Sequence, residues 1–397
     1  MRQIPILGTI RGLRSFYFGY ISFLVPLFLK HIGYSDVEVG IYALVATVAS
    51  AALVLVSGFM GDLYSKKKTL IIMSGLPAII FVVFLLTHNF AITFITAIFG
   101  ISFSAIGGGA GGGPVAPIMT AFVADKVPSS SRTRIYSLLM IVSIVSAIAG
   151  SSTSSVFEKY ISDYYTYLFL LALLLNLSSI VLSFLLEDTK IRKREKDEKR
   201  QVIPKKSGKN ILKIGLSGAL GSAGLGVITP IISLWFLEIG LPPYIISIIF
   251  TASYVAAGVG VIFSSSLEHI FGSIYAIGIF RTLGSVLFIV MPFVPPLVAG
   301  GVYALRTGFY QIALPIRQSF QMGLLNPEER ARGNSLTGIA RRLPYGASTT
   351  FGSFLLSMGS IIFMFTFAGV VSLFDPILYV LFFRKYNNKK GDAPGEN

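Results

Sequence analysis

The sequence contains no cysteine, which excludes disulfides, thiolate metal sites and cysteine nucleophiles. Compartment does not follow from that absence, because a membrane bundle needs no disulfides. Histidine is scarce too: His31, His88 and His269 fall at the ends of apolar segments, so no metal site and no cofactor is expected. Only 13% of residues are charged, and no cluster of acids, histidines or metal ligands within the apolar segments suits a membrane-embedded enzyme. What remains is apolar. With 53% hydrophobic residues and a mean hydropathy of +0.75, the chain cannot maintain the polar surface of a soluble protein.

Apolar stretches of about 20 residues, the length that spans roughly 30 Å of hydrocarbon, recur from Ile10 to Phe383. Twelve spans are predicted, at 10–32, 37–59, 69–87, 91–124, 134–157, 164–186, 211–237, 243–267, 272–291, 296–323, 333–357 and 360–383. The first runs on into others without a small-residue cleavage pattern and reads as a retained span. An all-α integral membrane protein is therefore expected.

The net charge of +15 is a topology signal and not a nucleic-acid one. With the amino terminus in the cytoplasm, the inner loops collect Lys66, Lys67, Lys68, Lys126, Arg132, Arg134, ten bases of one central segment, Arg330, Arg332 and the basic tail. The outer loops hold only Lys30 and Lys159. By the positive-inside rule both termini are expected to be cytoplasmic, as an even number of spans requires.

The central segment, 187–210, is the only long polar stretch and reads as a solvated cytoplasmic linker between an N-terminal six-helix bundle (1–186) and a C-terminal one with a short tail (211–397). Internal repetition supports the division. A shift of 207 places Gly19 on Gly226 and Gly33 on Gly240; a shift of 198 places Pro117 on Pro315, Phe122 on Phe320, Arg132 on Arg330 and Arg134 on Arg332.

Between the second and third spans lies GFMGDLYSKKKTL, 58–70. Gly58, Asp62, Lys66, Lys67 and Leu70 resemble the corresponding hairpin of the major facilitator superfamily, although Leu63 stands where a basic residue is usual and Ser65 where a glycine is. ADKVPSSSRTR (124–134) and NPEERARG (326–333) resemble that family's inner loops, and SSLEHIFG (265–272) is a degenerate second copy of the hairpin. The resemblance covers nearly the whole chain. It implies two six-helix bundles related by a pseudo-two-fold axis, and transport by alternating access around a midplane site. It further implies that Asp62 latches the inner side against Arg132 or Arg134, with Gly58, Lys66 and Lys67 shaping the turn. The alternative is a plain turn with topology charges. Span four carries GGGAGGGP (107–114), which suits close helix packing and a hinge; with apolar flanks and no following Lys-Ser/Thr it is not a phosphate loop.

Charges within spans are costly unless paired, hydrated or functional. Arg306 lies about 15 Å inward from Pro296 at helical rise, near the midplane. The resemblance puts spans one, four, seven and ten around the cavity, so Arg306 is the expected substrate contact, accompanied by Tyr303, Tyr310 and Gln311. Tyr310 shares its face. An arginine there suits a carboxylate or phosphate; alternatively it is neutralised by Glu238 or backbone carbonyls. Asp375 is expected to pair with Arg341 or Arg342, which lie at similar depth. Arg281 has no assignable partner. Arg11, Arg14 and Arg317 line the inner mouth or extend toward headgroups. Glu238 and Asp375 are the candidates for proton coupling.

The expected function is transport of a small organic solute, an anion if Arg306 contacts it, by a monomer in the cell membrane, either facilitative or coupled to protons as the partner ion. Efflux of amphipathic compounds is the alternative: 32 Phe and 18 Tyr favour it, while Ser146–Phe157 lacks the glycine-proline pattern of drug–proton antiporters.

Overall fold

A computed structural model describes residues 3–100, 113–127, 129–187, 206–326 and 330–387; of Asp62, Leu63, Ala124, Asp125, 129–134, 330–332, 334 and 335 it describes the backbone alone. Among the described residues every regular element is helical: α1 (Gln3–His31), α2 (Asp36–Leu63), α3 (Lys66–Leu86), α4 (Phe90–Ile95), α5 (Ala116–Lys126), α6 (Ser129–Tyr160), α7 (Tyr164–Phe184), α8 (Gly208–Ile228), α9 (Ile232–Glu238), α10 (Pro243–Phe271), α11 (Ser273–Val290), α12 (Pro296–Leu324), α13 (Arg330–Ser357) and α14 (Ile361–Phe383).

Nine helical stretches among the described residues are long and apolar enough to cross a membrane. The long helices α12 and α13 are not among them, and both are interrupted by arginines. The fourth expected span appears as α4 and α5, on either side of 101–112; most of the glycine run falls in that gap, outside the described residues.

Polarity is inverted relative to a soluble fold. Ile262 (73% exposed), Val181 (64%) and Leu381 (59%) face outward, while Ser74, Ser179, Ser217 and Arg317 are buried. Hydrocarbon is the solvent that favours such an arrangement, because helices satisfy their own backbone groups.

The chain divides into two compact units. One joins Met1–Arg194 to Ile232–Thr251; the other joins Glu195–Ile231 to Ala252–Asn397. The helix α10 thus contributes residues to both. In the first unit α1 packs on α6 and α7, and α3 on α7; in the second α8 packs on α13 and α14, and α11 on α14.

The repeated glycines show why the packing recurs. A Cβ on Gly19 would run into the Ala147 backbone of α6, and one on Gly150 into Phe16 of α1. In the second unit Gly226 bears the same relation to Tyr345 of α13, and Gly352 to Val227 of α8. Each crossing brings two backbones together where no side chain fits. Gly33 (φ 101°) and Gly240 (φ 88°) follow the helices that end at His31 and Glu238 in a left-handed conformation that only glycine adopts easily.

Local signals set the helix starts. Ser35 and Glu38 form a reciprocal capping box at α2, and the Ser65 hydroxyl accepts from the Lys68 amide at 3.0 Å to cap α3. Ser65, which replaces the usual glycine of the hairpin, therefore has a role of its own. Lys67 Nζ donates to the Phe184 carbonyl at the end of α7 (2.6 Å), where a cation suits the exposed carbonyls.

Candidate functional site

The second unit buries an unusual amount of positive charge. Arg281 on α11, Arg306 and Arg317 on α12 and Asp375 on α14 are all less than a tenth exposed. Space for them comes from α8, whose Gly218, Gly221 and Gly224 recur every three residues along one face. A Cβ on Gly218 would meet Arg341, one on Gly221 would meet Asp375, and one on Gly224 would meet Ser372. Proline also marks these helices: Pro315, Pro344 and Pro376 each remove a backbone donor near the cluster.

Asp375 is the hub. Arg317 Nη1 donates to its Oδ2 at 2.8 Å and its Oδ1 at 3.0 Å, and Arg281 Nη1 donates to Oδ2. The expected pairing with Arg341 or Arg342 is thus corrected: Arg341 Nε donates to the Thr337 carbonyl (3.1 Å), and neither arginine forms an ion pair among the described residues. The reason is packing. The helix α13 lies along α8 and barely touches α14, so equal depth does not bring Arg341 to Asp375. Arg281, which lacked an assignable partner, shares the aspartate, and Arg317 points inward and not to headgroups.

Arg306 has no carboxylate in ion-pair range among the described residues, and its Nε has no hydrogen-bond partner among them. Glu238, one candidate for neutralising it, is exposed and hydrogen-bonds Asp36 in the first unit, where Lys30 pairs with Asp36 at 2.5 Å. Arg306 is held instead by rings: its guanidinium lies 4.1 Å from the Phe288 centroid and 5.2 Å from Tyr310. Arg281 sits 4.4 Å from the same Tyr310 ring, and Arg317 4.9 Å from Tyr379. Tyr310 is therefore a shared platform for two guanidiniums. Tyr303 and Gln311 are buried on the same helix.

With Arg341, which shares the Gly218 face of α8 with Arg317, four guanidiniums occupy a region that holds one carboxylate, and two of them contact it. A cavity of about 10 Å³ lies among Gly221, Arg281, Arg306, Tyr310, Ser372 and Asp375, space on the scale of one water molecule. The excess charge is expensive in a low-dielectric interior unless an anion joins it.

The first unit has a neutral counterpart. Asn176 Nδ2 donates to the Ser74 carbonyl (2.9 Å), and its Oδ1 accepts from Tyr17 (3.0 Å). Arg14 Nη1 donates to the Ser74 hydroxyl at 3.3 Å, and Arg11 Nε to Ser143 at 2.6 Å. Arg14 is buried and Arg11 is half-buried. The side chains of Asp62, Arg132 and Arg134, the expected latch, lie outside the described residues.

A family model described as the Major Facilitator Superfamily matches residues 7–343. The chain belongs to the Major Facilitator Superfamily. As a member of that superfamily it is a multi-pass membrane transporter. Solved superfamily structures share its fold. An auto-inhibited peptide transporter of the POT family superposes with a TM-score of 0.75 at 12% identity, covering 99% of both chains. The nucleoside transporter NupG gives 0.70 at 13%, covering 98% of this chain and all of its own. A D-xylose–proton symporter gives 0.70 at 13%, covering 98% of each. At such identities the likeness concerns fold alone. A search of curated proteins finds no match.

Proposed function

We propose that this superfamily member carries a small organic anion, bearing a carboxylate or a phosphate, by alternating access. The observation that carries the reading is Arg306, buried on α12 without an acidic partner among the described residues and placed beside Arg281, Arg317 and Arg341, against which Asp375 supplies one negative charge. Paired N–H donors on a planar guanidinium match the geometry of either anionic group. Tyr310 and Tyr303 supply the rings, and Gln311 a neutral polar contact. The solved relatives are a peptide transporter, a nucleoside transporter and a D-xylose–proton symporter, which suits a small-molecule cargo here.

The cavity holds about one water, so cargo enters only when the surrounding helices part, as alternating access requires. Within the same proposal, α4, α5, α12 and α13 complete twelve spans, both termini face the cytoplasm of the cell membrane, and the carrier works as a monomer. Asp62 with Arg132 or Arg134 then forms the inner latch, with Gly58, Lys66 and Lys67 in its turn.

The test is a thermal-shift series on the purified chain with organic carboxylates, organic phosphates, neutral sugars and organic cations. A ligand at about one hundred times its Kd stabilises by about 2.7 kcal/mol. An anion should raise the melting temperature of the native chain and fail to do so for Arg306→Ala. Equal stabilisation of both forms by that anion, or stabilisation by cations alone, would overturn the assignment.

A further inference from the structure

Glu158 of the first unit joins two helices through neutral partners only, among the described residues. It lies two residues before α6 ends at Tyr160, directly after the apolar run closes at Phe157. Its Oε1 accepts from Ser154 at 2.9 Å on the same helix, and its Oε2 accepts from Ser247 of α10 at 2.5 Å. Further contacts extend these into a ladder. Ser155 Oγ donates to the Tyr244 carbonyl (3.0 Å), and the Thr251 hydroxyl meets Ser151 Oγ at 2.8 Å. Positions 151, 154, 155 and 158 form one stripe of α6; 244, 247 and 251 form one stripe of α10.

The charged and titratable groups around it come from α6, α10, α7 and α1. Lys159, next in sequence, turns to the rings of Tyr160 (5.2 Å) and Tyr244 (5.9 Å) and forms no ion pair with Glu158. Tyr164 and Tyr165 of α7 lie within electrostatic reach of Glu158, and His31 of α1 stacks on Tyr165 at 4.9 Å. No arginine contacts it among the described residues. The two acids expected to carry protons are placed differently: Asp375 is held by two guanidiniums, and Glu238 lies within electrostatic reach of Lys30.

We propose that Glu158 is a proton-binding site whose occupancy sets the strength of the tie between α6 and α10. Hydroxyls accept as readily as they donate, so Ser154 and Ser247 can serve both protonation states. As a carboxylate, Glu158 accepts two charge-assisted bonds. On taking a proton from water at the nearby helix end, its own O–H donates to one serine oxygen. That serine then turns its hydrogen to another acceptor, and the remaining contact becomes a neutral bond of roughly half the strength. Because α10 continues into the second unit beyond Thr251, the tie acts on a helix that both units share.

The inference is independent of the anion reading, and its test uses no cargo. Infrared spectra of the full chain in lipid are recorded as pH is stepped through the neutral range, following the carboxyl C=O band. The native band should contain a titrating component that is lost in E158Q, while the contribution of the other carboxyls persists, and that is retained in E158D and in the control E38Q. Identical titrations in the native protein and E158Q would overturn the proposal. Should E158Q fail to fold, S247A removes one hydroxyl only and should displace the midpoint by about one pH unit; an undisplaced midpoint would overturn it as well.

Discussion

Ser74 and Arg281 are 207 residues apart, and each is the ninth residue of its helix, counted from Lys66 in α3 and from Ser273 in α11. Each meets the last long helix of its own half: the Ser74 carbonyl accepts from Asn176, and the Arg281 guanidinium donates to Asp375. The duplicated scaffold therefore keeps a polar contact at one step of the repeat while its chemistry differs, neutral in one copy and ionic in the other.

Asp375→Asn should destabilise the protein strongly, by ~3–5 kcal/mol, because it leaves Arg281 and Arg317 buried without their counter-charge. Adding Arg281→Ser removes one of the two guanidiniums left unpaired and should recover part of the loss. Thermal or denaturant unfolding of the double-mutant cycle reads the coupling; strictly additive effects would refute the contact.

Tyr310→Phe keeps the ring shared by Arg281 and Arg306, whereas Tyr310→Leu removes it. With an anion identified by the thermal-shift series, the leucine variant should bind it about tenfold more weakly, the scale of a desolvated cation–π contact, and the phenylalanine variant nearly as well as the native chain. Calorimetric affinities decide between them.

Gly226→Ala places a methyl group against the Tyr345 backbone and should cost ~1–3 kcal/mol or more through overpacking. Gly58→Ala meets nothing within 4 Å and should leave stability within about 1 kcal/mol of native, in the direction of greater helix propensity. Melting temperatures of the two variants should separate a packing glycine from a motif glycine.

Ser35→Ala removes the side-chain half of the capping box at α2 and should cost ~1 kcal/mol. Hydrogen exchange at the first turn of α2 should quicken, with exchange in α8 unchanged.

Much of the fold was legible in the sequence. Length and hydropathy marked the helices, and the 207-residue shift between Gly19 and Gly226 anticipated two equivalent backbone crossings. The ion pairs were less so, because residue counts give depth along a helix but not rotation about it. Arg281 lies nine residues from Gly272, and Asp375 nine from Arg384. They are as well matched in depth as Asp375 and Arg341, and only the packing of α13 on α8 chooses between the partners. Arg317 was legible in part, since it follows Arg306 by eleven residues, three helical turns. Glu158 escaped notice because the apolar run ends at Phe157 while the helix continues through Tyr160; the serines at 151, 154 and 155 were the available signal.

The surplus of guanidinium over carboxylate in the second unit also has an electrical meaning. A charge carried through the whole membrane field gains or loses about 2.3 kcal/mol per 100 mV. An anion lodged beside Arg306 cancels part of the positive charge there, so the membrane potential pulls on the loaded and the empty interior with different force.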